Sequence, residues 1–136
     1  MSVQTLDAEF VIGQPLAIER ADRIDPQTRC DGRPVRVGLL GYGRVGQAVA
    51  NVAARSRGRL RSAGIDIQCV GALVRDPAKP RFGPDLPLAT DVADVFASRV
   101  DVLVEVMGGL EPSRQLVVQA LEKGIPVVSA NKTLVA

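Results

Sequence analysis

Val35-Arg36-Val37-Gly38-Leu39-Leu40-Gly41-Tyr42-Gly43-Arg44-Val45-Gly46 is the stretch that decides the fold. An apolar run of strand length ends in three glycines spaced G-x-G-x-x-G, and a helical pattern starts inside that spacing. Gly41 permits a tight turn out of the strand, Gly43 leaves room for a pyrophosphate against the backbone, and Gly46 lets the helix pack closely on the sheet. The phosphates would then sit on the free N–H groups and positive dipole end of the helix that begins at Arg44 and Val45.

Three glycines alone are weak ground, because 13 of the 136 residues are Gly. The flank strengthens them: Val45, Ala48, Val49, Val52 and Ala53 recur at i, i+3, i+4, i+7 and i+8, one face of a helix. A tight strand-to-helix turn without a ligand is the competing reading, and the context favours phosphate binding over it.

Composition sets the outer limits. A length of 136 residues fits one domain, and 46% apolar content is enough for a real core. Val, Ala and Leu dominate while aromatics are scarce, which suits the near-continuous apolar strands of a buried parallel sheet. Seventeen basic and fifteen acidic residues are intermixed, so no basic stripe offers itself to nucleic acid. No apolar run approaches the ~20 residues of a membrane span, and Met1 is not followed by a leader pattern, which makes the cytoplasm the expected location. Cys30 and Cys69 lack metal-ligand spacing, and there is no histidine, so no metal site is expected.

Taken in order, residues 1 to about 33 carry scattered apolar positions without a sustained period and read as an irregular N-terminal arm. Phe10 to Ile18 fits a small hairpin there or a strip along the sheet, and disorder fits equally well. Residues 34–136 form the single folded domain. A strand to Leu40 and a helix from Arg44 to about Ser62 lead to a second strand, Ile65 to Val74. Pro77, Pro80, Gly83, Pro84 and Pro87 make a loop that cannot be helical. A short helix over Asp91 to Ser98, capped by Asp91, precedes a strand from Val100 to Met107 that Gly108-Gly109 ends. Glu111-Pro112 opens a helix with Leu116, Val117, Ala120 and Leu121 on its apolar face, and Ile125 to Ala130 is the last strand. Another helix would start where the sequence ends. Strands alternating with helices give an α/β, doubly wound parallel sheet with its ligand edge beyond the strands' carboxyl ends.

Several side chains at that edge can carry chemistry. An acidic residue at the end of the second strand holds the ribose hydroxyl of NAD, and an arginine there accommodates the phosphate of NADP. Here the strand ends Leu73-Val74-Arg75-Asp76, so Arg75, with Lys79 or Arg81 beside it, points to NADP, while Asp76 leaves NAD open and a solvated loop arginine remains an equal alternative. Asp66 has the expected 20-residue spacing from Gly46 but falls at the start of the strand. Glu105 lies in an apolar strand where an unpaired carboxylate is costly, so it faces an edge or accepts hydrogen bonds near the site, a structural role being favoured. Lys132 follows a buried strand, and its ammonium can hold a substrate oxygen or serve merely as an exposed loop charge.

These residues closely resemble the N-terminal cofactor-binding domain of homoserine dehydrogenase over about Val35 to Ala136. Its narrow parts are Val102-Leu103-Val104-Glu105-Val106-Met107-Gly108-Gly109 with Glu111-Pro112, and Val128-Ser129-Ala130-Asn131-Lys132. The resemblance implies a Rossmann-type sheet and hydride transfer between NAD(P)H and L-aspartate 4-semialdehyde, giving L-homoserine on the route to threonine and methionine. It implies that Gly41, Gly43, Arg44, Val45 and Gly46 hold the pyrophosphate and that Arg75 contacts the adenosine ribose or its phosphate. It further implies that Met107 and Gly108 lie near the nicotinamide ribose and that Lys132 is catalytic, stabilising charge on the substrate oxygen. It implies as well a whole enzyme that is a homodimer, with its substrate domain and dimerisation strands beyond Ala136, so the chain is expected to bind cofactor without turnover. Two other readings remain: the cofactor domain of another amino-acid dehydrogenase, which should lack the Asn131-Lys132 context, and a non-catalytic NAD(P)H sensor.

Overall fold

A computed structural model describes residues 33–136. The arm over residues 1–33, with the hairpin around Phe10 to Ile18, lies outside the described residues except for Arg33. From there the elements are β1 (Val35–Leu40), α1 (Arg44–Ser62), β2 (Ile67–Leu73), β3 (Leu88–Ala89), α2 (Val92–Ala97), β4 (Val102–Glu105), α3 (Ser113–Glu122), β5 (Val127–Ser129) and α4 (Lys132–Val135). The five strands form one sheet in the order β3-β2-β1-β4-β5, every neighbouring pair parallel.

β1 is central because both of its faces are covered. Val37 and Leu39 join Tyr42, Ala50, Ala72 and Val74 on the face that α1 covers. Leu40 joins Leu73, Val95, Val100, Leu103 and Ala120 on the face that α2 and α3 cover. A strand buried on two sides has no polar alternation to display, so it reads as an unbroken apolar run. Gly38 belongs to the second face for lack of space: a Cβ there would lie 2.8 Å from side-chain atoms of both Leu103 and Val100.

The chain runs outward from β1 through β2 to β3, then returns across the sheet to β4 on the other side of β1. Strand order therefore reverses between β1 and β4, where Leu40 pairs with Glu105, and the loops after these two strands diverge to leave a crevice. Asp91 caps α2 as expected, accepting from the Ala93 N–H at 2.9 Å. The strands at 65–74, 100–107 and 125–130 are shorter than their apolar runs, because the flanking residues serve turns. β3 had no signal, two residues being too few to show a period.

One expectation needs correction. The face of α1 turned to the sheet is not centred on Val45 and Val52, which are 52% and 56% exposed. It is centred on Gly46 and Ala50, the buried residues of the helix. Gly46 is small enough to let α1 approach the turn beneath it; Val45 and Val52 are displaced to the flanks, while Val49 packs against the core.

Candidate functional site

The crevice at the β1/β4 switch is an open groove of about 1280 Å³. Its floor is the glycine turn, in which the three glycines do three different things. Gly41 has a φ of +100° and sends its N–H to the Leu73 carbonyl at 3.0 Å, turning the chain out of the sheet. A Cβ on Gly46 would lie 2.5 Å from the Gly41 carbonyl oxygen, so this position is fixed by helix-to-turn contact. At Gly43 neither constraint applies: a Cβ would meet nothing within 4 Å among the described residues. Gly43 lines the groove as the N-cap of the 19-residue α1, with no side chain capping the helix and no acid in its first turn. By contrast, Asp91 and Asn131 cap α2 and α4. The first-turn N–H groups of α1 and its positive dipole end thus face open space shaped for an anion.

The loop after β2 forms the second wall and is tied to the turn by hydrogen bonds. Gln47 Oε1 accepts from the N–H groups of Phe82 at 2.7 Å and Gly83 at 3.0 Å, while its Nε2 donates to the Tyr42 carbonyl. Tyr42 is buried, its hydroxyl donates to the Pro84 carbonyl, and burial above all pushes its phenol upward from the usual range. The Arg81 guanidinium donates to the carbonyls of Tyr42, Lys79 and Asp76 at 3.1, 2.9 and 2.9 Å, so its charge is spent on loop backbone. Arg75 and Lys79 are exposed on the same wall with no side-chain hydrogen bond among the described residues, and Arg44 projects from the first turn of α1. Asp76, exposed on the groove wall, accepts from the Ala78 N–H at 2.9 Å.

Met107 and Gly108 make the opposite wall, and behind them lies Glu105, wholly buried. Its Oε1 accepts from the Met107 N–H at 2.7 Å and its Oε2 from the Ser129 hydroxyl at 2.8 Å. Ser129 Oγ accepts from the Asn131 N–H at 3.0 Å. Asn131 in turn donates through Nδ2 to the Gly109 carbonyl and accepts through Oδ1 from Thr133 and Leu134, capping α4. Glu105 is therefore a buried acceptor beside the groove, one of the roles its sequence context allowed.

Among the residues singled out from sequence, the groove brings together Gly41, Gly43, Arg44, Arg75, Asp76, Lys79, Arg81, Met107 and Gly108. Val45 points aside and Gly46 lies beneath the turn. Lys132 is exposed at the first position of α4 and is not part of the groove wall. Asp66 sits at the amino end of β2 in ion pairs with Arg57 at 2.7 Å and Arg61 at 3.2 Å, away from the groove, so spacing alone would have misplaced the ribose-binding position. Gln47 and Tyr42 escaped the sequence reading. A polar residue on the first turn of α1 and the chain's single tyrosine were the available signals.

A parallel sheet in the order β3-β2-β1-β4-β5, with an uncapped helix aimed from its first glycine turn into a groove at the switch point, defines a Rossmann-type nucleotide-cofactor-binding domain. The NAD-binding domain model of homoserine dehydrogenase matches residues 41–136, and the chain belongs to that family. The homoserine dehydrogenase of Mycobacterium tuberculosis is 40% identical over 108 residues, 78% of this chain and 24% of that protein. That of Bacillus subtilis is 40% identical over 109 residues, covering 76% and 25%. Among solved structures, homoserine dehydrogenase from Thiobacillus denitrificans superposes with a TM-score of 0.65 at 41% identity, over 76% of this chain and 25% of that one. S. aureus homoserine dehydrogenase gives 0.69 at 33% identity, over 74% and 27%. The chain thus spans about a quarter of the length of the curated relatives it matches. No helix among the described residues is long and apolar enough to cross a membrane.

Proposed function

We propose that residues 34–136 are the nucleotide-binding domain of a homoserine dehydrogenase, which interconverts L-homoserine and L-aspartate 4-semialdehyde with NADP(H) or NAD(H) in cytoplasmic threonine and methionine synthesis. The observation that carries this reading is Gly43: it caps a long helix without a side chain, and no atom of the described residues fills the space that its missing Cβ leaves. A pyrophosphate fits there, received by the backbone N–H groups of the first turn of α1. Arg75 meets the adenosine ribose or its 2′-phosphate, with Lys79 adding charge, while one oxygen of Asp76 is engaged by the Ala78 N–H of its own turn. Met107 and Gly108 border the nicotinamide ribose. Bound there, the cofactor supplies or accepts the hydride. Lys132 is the catalytic cation, its ammonium stabilising the substrate oxygen as charge develops.

Because the chain covers a quarter of its relatives, we take the amino-acid pocket and the dimer contacts to be supplied outside these 136 residues. Titrating the chain with NADPH and NADH, then assaying the same sample with homoserine and the oxidised cofactor, tests the reading. Binding without turnover is expected. Turnover would refute the division of labour, and failure to bind either nucleotide would reduce the glycine turn to architecture.

A further inference from the structure

Of the side chains outside the groove, Glu105 carries the most information. Filling its site would not require a carboxylate: a buried charge gains little over an apolar side chain of like shape unless its hydrogen bonds serve some other purpose. Those bonds close a ring. Glu105 holds Met107 through one oxygen and Ser129 through the other, Ser129 holds Asn131, and Asn131 returns to Gly109. The two loops so joined are weak in themselves. Gly108 and Gly109 follow each other at φ +79° and +75°, where glycine has little preference of its own, and α4 has only four residues.

Resting on the nucleotide reading of the groove, we infer that Glu105 is a positioning residue: its carboxylate holds the groove wall at Met107–Gly108 and the start of α4, which carries Lys132, in one frame. Occupation of the groove is therefore felt at α4, and Lys132 is set in place by a group that touches neither nucleotide nor substrate.

Glu105→Gln and Ser129→Ala in the 136-residue chain test this, read by amide hydrogen exchange, by NADPH titration and by the amide resonances of Thr133 and Leu134. Glutamine keeps the shape but turns an N–H group on Ser129. The expected result for the folded variant is faster exchange at Asn131 and NADPH affinity lowered about tenfold, the loss of one buried hydrogen bond. The Thr133 and Leu134 shifts that NADPH induces in the parent chain should disappear, and the double variant should bind NADPH no more weakly than the weaker-binding single one. A melting temperature that falls while affinity and those shifts stay intact would mark Glu105 as structural only and overturn the proposal. Should Glu105→Gln not fold, Ser129→Ala keeps the Met107 bond, and the same measurements on it support or overturn the proposal in the same way. If the parent chain binds no nucleotide, the nucleotide reading fails by itself. The tether is then judged on exchange without ligand, where a parental rate at Asn131 in a folded variant overturns it.

Discussion

Gly46 lies so close to Gly41 that a Cβ on the first would stand 2.5 Å from the carbonyl oxygen of the second. The helix is seated on the turn that feeds it, whereas Gly43, between them, faces open space. Substitution by alanine should therefore separate packing from binding. Gly46→Ala forces helix and turn apart and is expected to destabilise the fold by about 1–3 kcal/mol. Gly43→Ala has no protein neighbour to displace, so urea unfolding should change little while NADPH affinity drops about tenfold or more as the methyl group meets the pyrophosphate. Equal loss of stability in both variants would contradict this division.

Gln47 clamps the loop after β2 to α1 by accepting from the Phe82 and Gly83 N–H groups. Gln47→Leu keeps the bulk and removes both acceptors, so amide exchange at Phe82 and Gly83 should accelerate, with a stability loss of about 1 kcal/mol. Unchanged protection at both amides would show that the loop is held by Tyr42 and Arg81 alone.

The sheet was legible because a parallel strand buried on both faces writes itself as an apolar run, and the glycine turn because backbone geometry leaves no other residue type at Gly41. What stayed hidden was of two kinds. β3 is too short to have a period, and the packed face of α1 is misread from sequence because apolar periodicity finds large side chains, whereas contact with the turn selects Gly46 and close packing on the sheet selects Ala50. The clamps were hidden by distance. Ser129 and Glu105 are 24 residues apart and Gln47 and Phe82 are 35 apart, and no local pattern links such pairs before the sheet assembles. Arg75 was readable from its strand end, but that Arg81 would turn its guanidinium onto loop carbonyls depends on a loop conformation the prolines only delimit.

At the opposite end of β2, Asp66 bonds to two guanidiniums. The hydrogen bond from Arg57 foremost, with Arg61 adding, holds its carboxyl below the ordinary carboxylate range, against a smaller opposing effect of burial. A depressed folded pKa means that the contribution is fully present above the unfolded value, about 4, and is lost as pH falls through the folded one. Asp66→Asn should therefore be less stable than the parent at pH 7, and the difference should shrink as the pH is lowered below about 4. Thermal melts of both chains from pH 7 to 3 measure it. A gap that stays constant over that range would mean the ion pairs contribute nothing.

On the proposed reading, Arg75 sets the preference between the two dinucleotides. It stands at the carboxyl end of β2 on the groove wall, exposed and free of side-chain hydrogen bonds among the described residues, while Arg81 is committed to three carbonyls. Its guanidinium can therefore turn to a phosphate without breaking another contact, and a charge-assisted bond of that kind is about twice as strong as a neutral one. NADPH carries the extra phosphate and NADH does not, so Arg75→Ala should weaken NADPH about tenfold or more and leave NADH within about twofold. Titrations of both nucleotides at two salt concentrations read this directly. The NADPH loss should narrow at high salt, since the bond is exposed. Equal weakening of both nucleotides would move Arg75 from the 2′-phosphate to a part of the cofactor that the two share.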